Sequence, residues 1–366
     1  MSRFQARRDK LRRLVKKSQA EALLVTNFTN VTYLTGFSGD DSFLVLLPDR
    51  AVLLSDPRYT TQLAEECPDV EREVRRQGTS ILRSVSKVAG RAKLRSLAVE
   101  SQSMTMALHA AIVEALPKVE LVPSDGLVEQ LRMIKDRYEI ASLRRAVGAA
   151  ERAFAVVRAG LRGDMTERAV AHELENRIRS FGGLGCSFTP IVAVGPRAAL
   201  PHARATDVRL AEHGLLLIDW GADAADGYKS DLTRVLVTGK ISPKLERIYR
   251  VVLKAQQRAI AAIRPGALAS DVDATARKVI ADAGFGKYFG HGLGHGVGLD
   301  IHEGPRLSGS NPEPLKAGMV ITVEPGIYLP GTGGVRIEDD ILVTRDGHEV
   351  LTSVPKRWED ASALID

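Results

Sequence analysis

Short apolar runs broken by turn residues fill the first third of the chain. They occupy 22–25, 31–34, 42–47 and 51–54, and Asn27, Gly39, Asp40, Pro48 and Asp49 punctuate them. Runs of four to six residues between such breakers predict short strands. Ahead of them, residues 4–20 carry Leu11, Leu14 and Val15 at helical spacing beneath a basic face. Residues 57–66 read as a helix, and strands then alternate with helices as far as Val122. The pattern predicts a small α/β domain built on a mixed sheet.

Pro123, Ser124, Asp125 and Gly126 form the best linker candidate. Beyond them the period changes. Residues 127–158 are a long helical stretch with a break near Asp136, and Thr166 starts another helix. Strands are expected at 191–194, 214–218 and 232–237. Helices follow at 243–263, stopped by Pro265 and Gly266, and at 270–283. The chain ends in strands at 319–324, 334–344 and 349–353. Helices followed by a hairpin therefore occur twice. The domains are expected to span 1–124 and 125–366, and 366 residues suit two domains better than one.

Composition narrows the class. The chain is 44% hydrophobic and 26% charged, and no apolar run reaches about 18 residues, so no membrane span is expected. The net charge of +6 comes from Arg-rich helix faces without interleaved aromatic residues, which argues against nucleic-acid binding. Two cysteines, Cys67 and Cys186, make no disulfide framework, and a cytoplasmic location is expected.

The candidate chemistry lies in three stretches. From Gly290 to Gly298 every second residue is glycine. So many glycines disfavour a helix, and on an extended chain His291, Leu293, His295 and Val297 would share one face. Glycine in a strand often marks close approach by another backbone or a ligand. In the second stretch, the run Leu215–Ile218 ends in Asp219, and Asp231 follows twelve residues later on the expected partner strand. Paired strands would let Asp219 and Asp231 face each other. In the third, 319–323 ends in Glu324, and the return strand carries Glu338. Carboxylates at the ends of apolar strands repel and lose hydration, so a cation must compensate, either Arg/Lys or metal. Two divalent ions balance four carboxylates. Such an oxygen-rich set with one imidazole suits Mn²⁺, and Co²⁺ and Zn²⁺ also fit. Two ions about 3.5–4 Å apart can hold a hydroxide nucleophile and polarise a carbonyl.

These stretches resemble a known family. Gly-Tyr-Lys-Ser-Asp-Leu-Thr-Arg (227–234), Gly-His-Gly-Leu-Gly-His (290–295), Val-Glu-Pro-Gly (323–326) and Gly-Val-Arg-Ile-Glu-Asp (334–339) look like the signatures of the pita-bread metallopeptidases. Within them the chain is most similar to Xaa-Pro aminopeptidases and Xaa-Pro dipeptidases (prolidases). Tyr33–Gly39 and Asp56–Tyr59 resemble the group's creatinase-type N-terminal domain, and Ile134-Lys135-Asp136 the start of its catalytic domain. The resemblance implies an α+β chain: a C-terminal pita-bread catalytic domain after a smaller α/β creatinase-like domain. It implies two metals per subunit, with Asp219 chelating one, Asp231 and Glu338 bridging, and His295 and Glu324 on the other. Glu324 would also act as general base. His302 would stabilise the tetrahedral intermediate, His202 would contact substrate, His291 would lie near the proline, and Arg336 would contact substrate or orient Glu338. The implied substrates are proline-containing peptides, and the implied assembly is a homodimer. The favoured activity is an Xaa-Pro aminopeptidase, with an Xaa-Pro dipeptidase as the alternative. A metal-free creatinase-like hydrolase or a non-catalytic binding protein would be expected to lose ligands that are all present here. The interval from Asp219 to Asp231 is one residue longer than the family's usual spacing, which puts the strand register at stake.

Overall fold

The computed structural model describes residues 2–363 and 365. Two compact units make up the chain, Met1–Arg132 and Met133–Asp366. Among the described residues no helix is long and apolar enough to cross a membrane.

The first unit runs α1 (Arg3–Lys17), β1 (Ala22–Val25), α2 (Phe28–Thr35), β2 (Phe43–Leu46), β3 (Ala51–Ser55), α3 (Thr60–Glu66), β4 (Glu71–Val74), α4 (Ile81–Arg91), β5 (Ser96–Glu100), α5 (Met106–Ala115), β6 (Glu120–Ser124) and α6 (Leu127–Arg132). Its six strands form one sheet in the order β4-β3-β2-β1-β5-β6. The sheet is mixed: β2 is antiparallel to both neighbours, and the outer pairs are parallel. Leu24, Val45, Val52, Leu54 and Val99 pack on Val85, Val88 and Ile112 of the helices. The run at 31–34, expected as a strand, lies in helix α2. A short apolar run cannot tell a strand from a buried helix. Here Asn27 decides, its side chain accepting from the N–H groups of Thr29 and Asn30. The first unit also continues past the expected boundary at 124. Pro123 and Ser124 belong to edge strand β6, where a missing N–H is tolerated. Helix α6 then follows, with Arg132 Nη1 donating to Asn30 Oδ1 at 2.8 Å.

The second unit begins with α7 (Arg137–Ala159) and α8 (Glu167–Ser180). Asp136 caps α7 in a reciprocal capping box with Glu139, which places the expected helix break. Next come β7 (Gly183–Cys186), β8 (Ile191–Val194), β9 (Leu215–Trp220), β10 (Ala222–Ala224) and β11 (Leu232–Val237), then α9 (Pro243–Ala262) and α10 (Ala269–Asp282). The chain closes with β12 (Gly294–Gly296), β13 (Glu303–Leu307), β14 (Val320–Val323), β15 (Gly326–Leu329), β16 (Gly333–Arg336), β17 (Asp339–Val343) and β18 (His348–Val350). One sheet has the order β11-β9-β8, and a second has the order β13-β12-β14-β17-β18.

Strand β9 is buried on both faces, which is why it reads as an unbroken apolar run. Leu216, Ile218 and Trp220 pack with Phe154, Val170 and Leu174 of α7 and α8. Trp220 stacks on Phe154 at 4.3 Å and donates its indole N–H to the Ala150 carbonyl. Leu215 and Leu217 point the other way, into a core shared with Ile248 and Val252 of α9 and with Ile321 and Val323 of β14. Asp219 continues that second phase.

Only three residues of the glycine-rich stretch are strand. Leu293 lies in the hydrophobic core while His291 and His295 line a cavity, so the four residues expected on one face do not share it. The glycines serve backbone approach. A Cβ on Gly294 would lie 2.1 Å from the Thr322 carbonyl oxygen, whereas one on Gly290 would meet nothing within 4 Å.

Gly294→Ala is therefore expected to cost about 1–3 kcal/mol through overpacking, or about 2–4 °C of Tm per kcal/mol. Gly290→Ala should stay within about 0.5 kcal/mol. Thermal melts of the two purified variants check this, and equal melting would contradict the packing described.

Candidate metal centre and active site

Register brings the acids together. Strands β9 and β11 pair without a bulge, Asp219 opposite Thr233 and Trp220 opposite Leu232. Asp231 is two residues before Thr233, so it lies on the same face as Asp219 but diagonal to it rather than directly opposite. The long interval between them leaves this register intact, with the turn between β10 and β11 closing at Gly227, φ +82°.

The second hairpin is one register interrupted by a kink. Val323 pairs with Asp339 on one side of Glu324-Pro325, and Gly326 pairs with Arg336 on the other. The stretch expected as one strand over 334–344 is thus two, β16 and β17. The shared register sets Glu324 against Glu338. A bridge then joins the hairpins: Glu338 N–H donates to the Thr233 carbonyl at 3.2 Å, and the Thr233 hydroxyl donates to Glu338 Oε2 at 2.7 Å.

Strand β12 delivers His295 beside β14. The His295 N–H donates to Thr322 Oγ1 at 3.0 Å, and the Glu324 N–H donates to the Leu293 carbonyl. The ring Nδ1 lies 3.0 Å from the Gly296 carbonyl, which can only accept, so Nδ1 carries the proton. Nε2 then offers a lone pair, 3.4 Å from Glu324 Oε1 and 3.6 Å from Asp231 Oδ2. Burial pushes this imidazole down to about 3, so it is neutral.

Asp231, His295 and Glu338 are all buried, and one ligand atom from each lies within 4.8 Å of the others. Asp219 Oδ1 is buried without a hydrogen-bond partner among the described residues. Its Oδ2 accepts from Arg336 Nη2 at 2.5 Å. Arg336 does not touch the Glu338 carboxylate directly. Its Nε donates to Thr233 Oγ1 at 3.1 Å, and Thr233 passes the contact to Glu338. Arg234, three residues past Asp231, pairs with Asp339 at 2.7 Å and donates to the Glu338 carbonyl. The cluster is thus short of positive charge. Burial, then Glu338 and Asp219, raise the Asp231 carboxyl well above its ordinary value. Burial, then Glu324 and Asp219, do the same to Glu338. Burial pushes Glu324 up to about 8. A divalent cation fits this donor set: buried acids lacking countercharge, an unpartnered carboxylate oxygen and one neutral imidazole lone pair.

These residues line a cavity of about 880 Å³ in the second unit, together with His202, His291, His302 and Arg336. All nine residues singled out by the sequence therefore border one space. His302 is exposed and edge-on to His295, ring centroids 4.3 Å apart. His291 Nδ1 lies 2.8 Å from the Gly292 carbonyl, and Nε2 lies 2.9 Å from Tyr328 Oη. By the same tautomer argument Tyr328 donates to His291, and Arg336 Nη1 donates to Tyr328. Phe188, Ile191 and Ile301 supply an apolar wall.

The sequence reading missed Tyr328, Thr233, Thr322 and Arg306. Tyr328 is four residues past Glu324, and Thr233 is two past Asp231, so strand alternation was an available signal for both. Arg306, on β13, borders the cavity, and among the described residues no carboxylate pairs with its guanidinium.

Comparison with known proteins agrees with this architecture. Residues 7–134 match the Creatinase/Prolidase N-terminal domain, and residues 141–345 match metallopeptidase family M24. An Xaa-Pro dipeptidase from Bacillus anthracis superposes with a TM-score of 0.94 at 37% identity, covering 99% of both chains. An X-Pro aminopeptidase from Thermotoga maritima superposes with a TM-score of 0.88 at 35% identity, covering 98% of this chain and 100% of that one. An Xaa-Pro dipeptidase of Pyrococcus horikoshii is 34% identical over 355 residues, 95% of this chain and 98% of that protein. An α+β chain with a creatinase-type first domain and a carboxylate-lined cavity in its second, this protein belongs to metallopeptidase family M24.

Proposed function

We propose that the chain is an Xaa-Pro dipeptidase, hydrolysing the bond before the proline of a dipeptide. The observation that carries the reading is Arg306, a cation on the cavity wall with no carboxylate of its own among the described residues. A dipeptide presents a free carboxylate immediately after its proline, and a guanidinium matches it in charge and shape. A longer peptide has no charge at that point. Two of the similar proteins named above are called dipeptidases, which supports the alternative drawn from the sequence over its favoured aminopeptidase.

Asp219, Asp231, His295, Glu324 and Glu338 would hold two divalent ions, Mn²⁺ suiting the oxygen-rich set. When bound, the ions would supply an activated water and polarise the scissile carbonyl. The side chains do the rest. Glu324, at the kink, takes the proton of the attacking water and returns it to the departing nitrogen. His302, with its ring on the cavity and no described hydrogen-bond partner, donates to the developing oxyanion. His291, held neutral by burial at about 4 and fixed by Tyr328, borders the proline side with Phe188 and Ile301. Proline has no N–H to satisfy, so an apolar wall suffices there. His202 borders the same space and contacts substrate.

Asp231→Asn should abolish full metal occupancy. With saturating Mn²⁺ at about 100 times Kd, the wild type should gain roughly 2.7 kcal/mol from binding, and the variant should gain far less. Elemental analysis and melting curves with and without metal read this directly, and full occupancy in the variant would remove Asp231 from the ligand set. In a peptide panel, Xaa-Pro dipeptides should turn over faster than Xaa-Pro-Yaa tripeptides. Arg306→Ala should raise KM for the dipeptides by about 10–100-fold, the loss of roughly 1.5–3 kcal/mol for a charged hydrogen bond. The same KM change for dipeptides and their C-terminal amides would defeat the carboxylate role, and faster turnover of tripeptides would return the chain to the aminopeptidase reading.

A further inference from the structure

His302 is exposed, its ring meets the edge of His295 at 4.3 Å, and no described residue hydrogen-bonds it. With no hydrogen bond to fix the ring, its aim at the cavity depends on the backbone of the turn between β12 and β13. That turn is closed by one carboxylate, that of Glu303. Glu303 Oε1 accepts from the Asp300 N–H at 3.1 Å, and Oε2 accepts from Lys135 Nζ at 3.1 Å. Both side chains of this ion pair are almost wholly buried, 1% and 7% exposed. The carboxylate packs flat against Gly298, where a Cβ would lie 2.6 Å from either oxygen. Gly298 in turn accepts from the Lys229 N–H and donates to the Asp300 carbonyl. Lys135 is itself fixed, its N–H on the Gly318 carbonyl at 2.8 Å, one residue before the cap of α7.

We propose that Lys135 is a positioning residue for catalysis: through the buried pair with Glu303 it sets the turn that aims His302 at the substrate carbonyl. The inference rests on the oxyanion role given to His302 above. A buried charge pair suits the task because it has one low-energy arrangement, and loss of either partner leaves the other charge uncompensated. Lys135 touches neither the cavity nor the donor set, so its loss should act on kcat through His302 alone. A misplacement of about 1 Å can cost about 100-fold in rate.

The test is a double-mutant cycle on the metal-loaded full chain, using an Xaa-Pro dipeptide. Lys135→Met should lower kcat by about 10–100-fold, with KM changed less than about threefold and metal content per subunit unchanged. Lys135→Arg, which keeps the charge, should recover part of the loss. In a His302→Ala background, Lys135→Met should lower kcat by less than about twofold further, because the group it positions is gone. Should Lys135→Met fail to fold, Glu303→Gln takes its place. It keeps an acceptor for Asp300 and removes the charge, and the same limits apply. Equal losses from Lys135→Met in both backgrounds, or no loss in either, would overturn the positioning role while leaving His302 in place. A His302→Ala variant with wild-type kcat would remove the role of His302 and this inference with it.

Discussion

Mutual repulsion among buried carboxylates is the constraint on which the second unit turns. Asp219, Asp231, Glu324 and Glu338 sit at or beside the ends of strands that feed the hydrophobic core, and among the described residues only Arg336 forms an ion pair with one of these four acids as an Arg or Lys cation. Removing ionised groups from water costs several kcal/mol each after relaxation. The fold pays for this arrangement only if something else supplies the charge, and the raised carboxyls of Asp231, Glu324 and Glu338 record that demand. Metal binding and folding are thereby linked: an ion that occupies the cluster stabilises the chain as well as serving its chemistry.

Backbone register is how the chain makes so costly a cluster reproducible. Asp219 opposes Thr233, Thr233 bridges to Glu338, and Glu338 opposes Glu324 across the kink. Thr233 is thus the hinge between two hairpins, and its hydroxyl joins Arg336 to Glu338. Glycine supplies the remaining tolerance. His295 reaches the acids because Gly294 allows β12 to lie against the Thr322 carbonyl. Around this frame the aromatic and basic residues of the cavity sort themselves by reach. Tyr328 and Arg336 stay buried and support the donors, while His302 and Arg306 stand exposed on the cavity wall.

Much of this was legible because strand alternation ties side-chain direction to sequence. Asp219 stands out as the one acid closing an apolar run, and Glu324 likewise. The helix break before α7 was readable from Asp136, and the two helix-then-hairpin halves from period alone. What stayed hidden depends on pairing between distant segments. The Thr233–Glu338 bridge joins strands from different hairpins, and Arg306 gains its meaning only from the space it borders. Four residues are too few to carry a period, so the run at 31–34 does not betray helix α2, and the glycine-rich stretch is too irregular for alternation to place Leu293 in the core. The interval between Asp219 and Asp231 looked like a threat to register, but the pairing of β9 with β11 runs through unshifted.

Anomalous diffraction from crystals grown with Mn²⁺, recorded on both sides of the manganese absorption edge, addresses the central claim most directly. Two peaks per chain are expected, both enclosed by Asp219, Asp231, His295, Glu324 and Glu338. No peak within that cluster, or peaks only on other carboxylates, would contradict the view that divalent ions offset its charge.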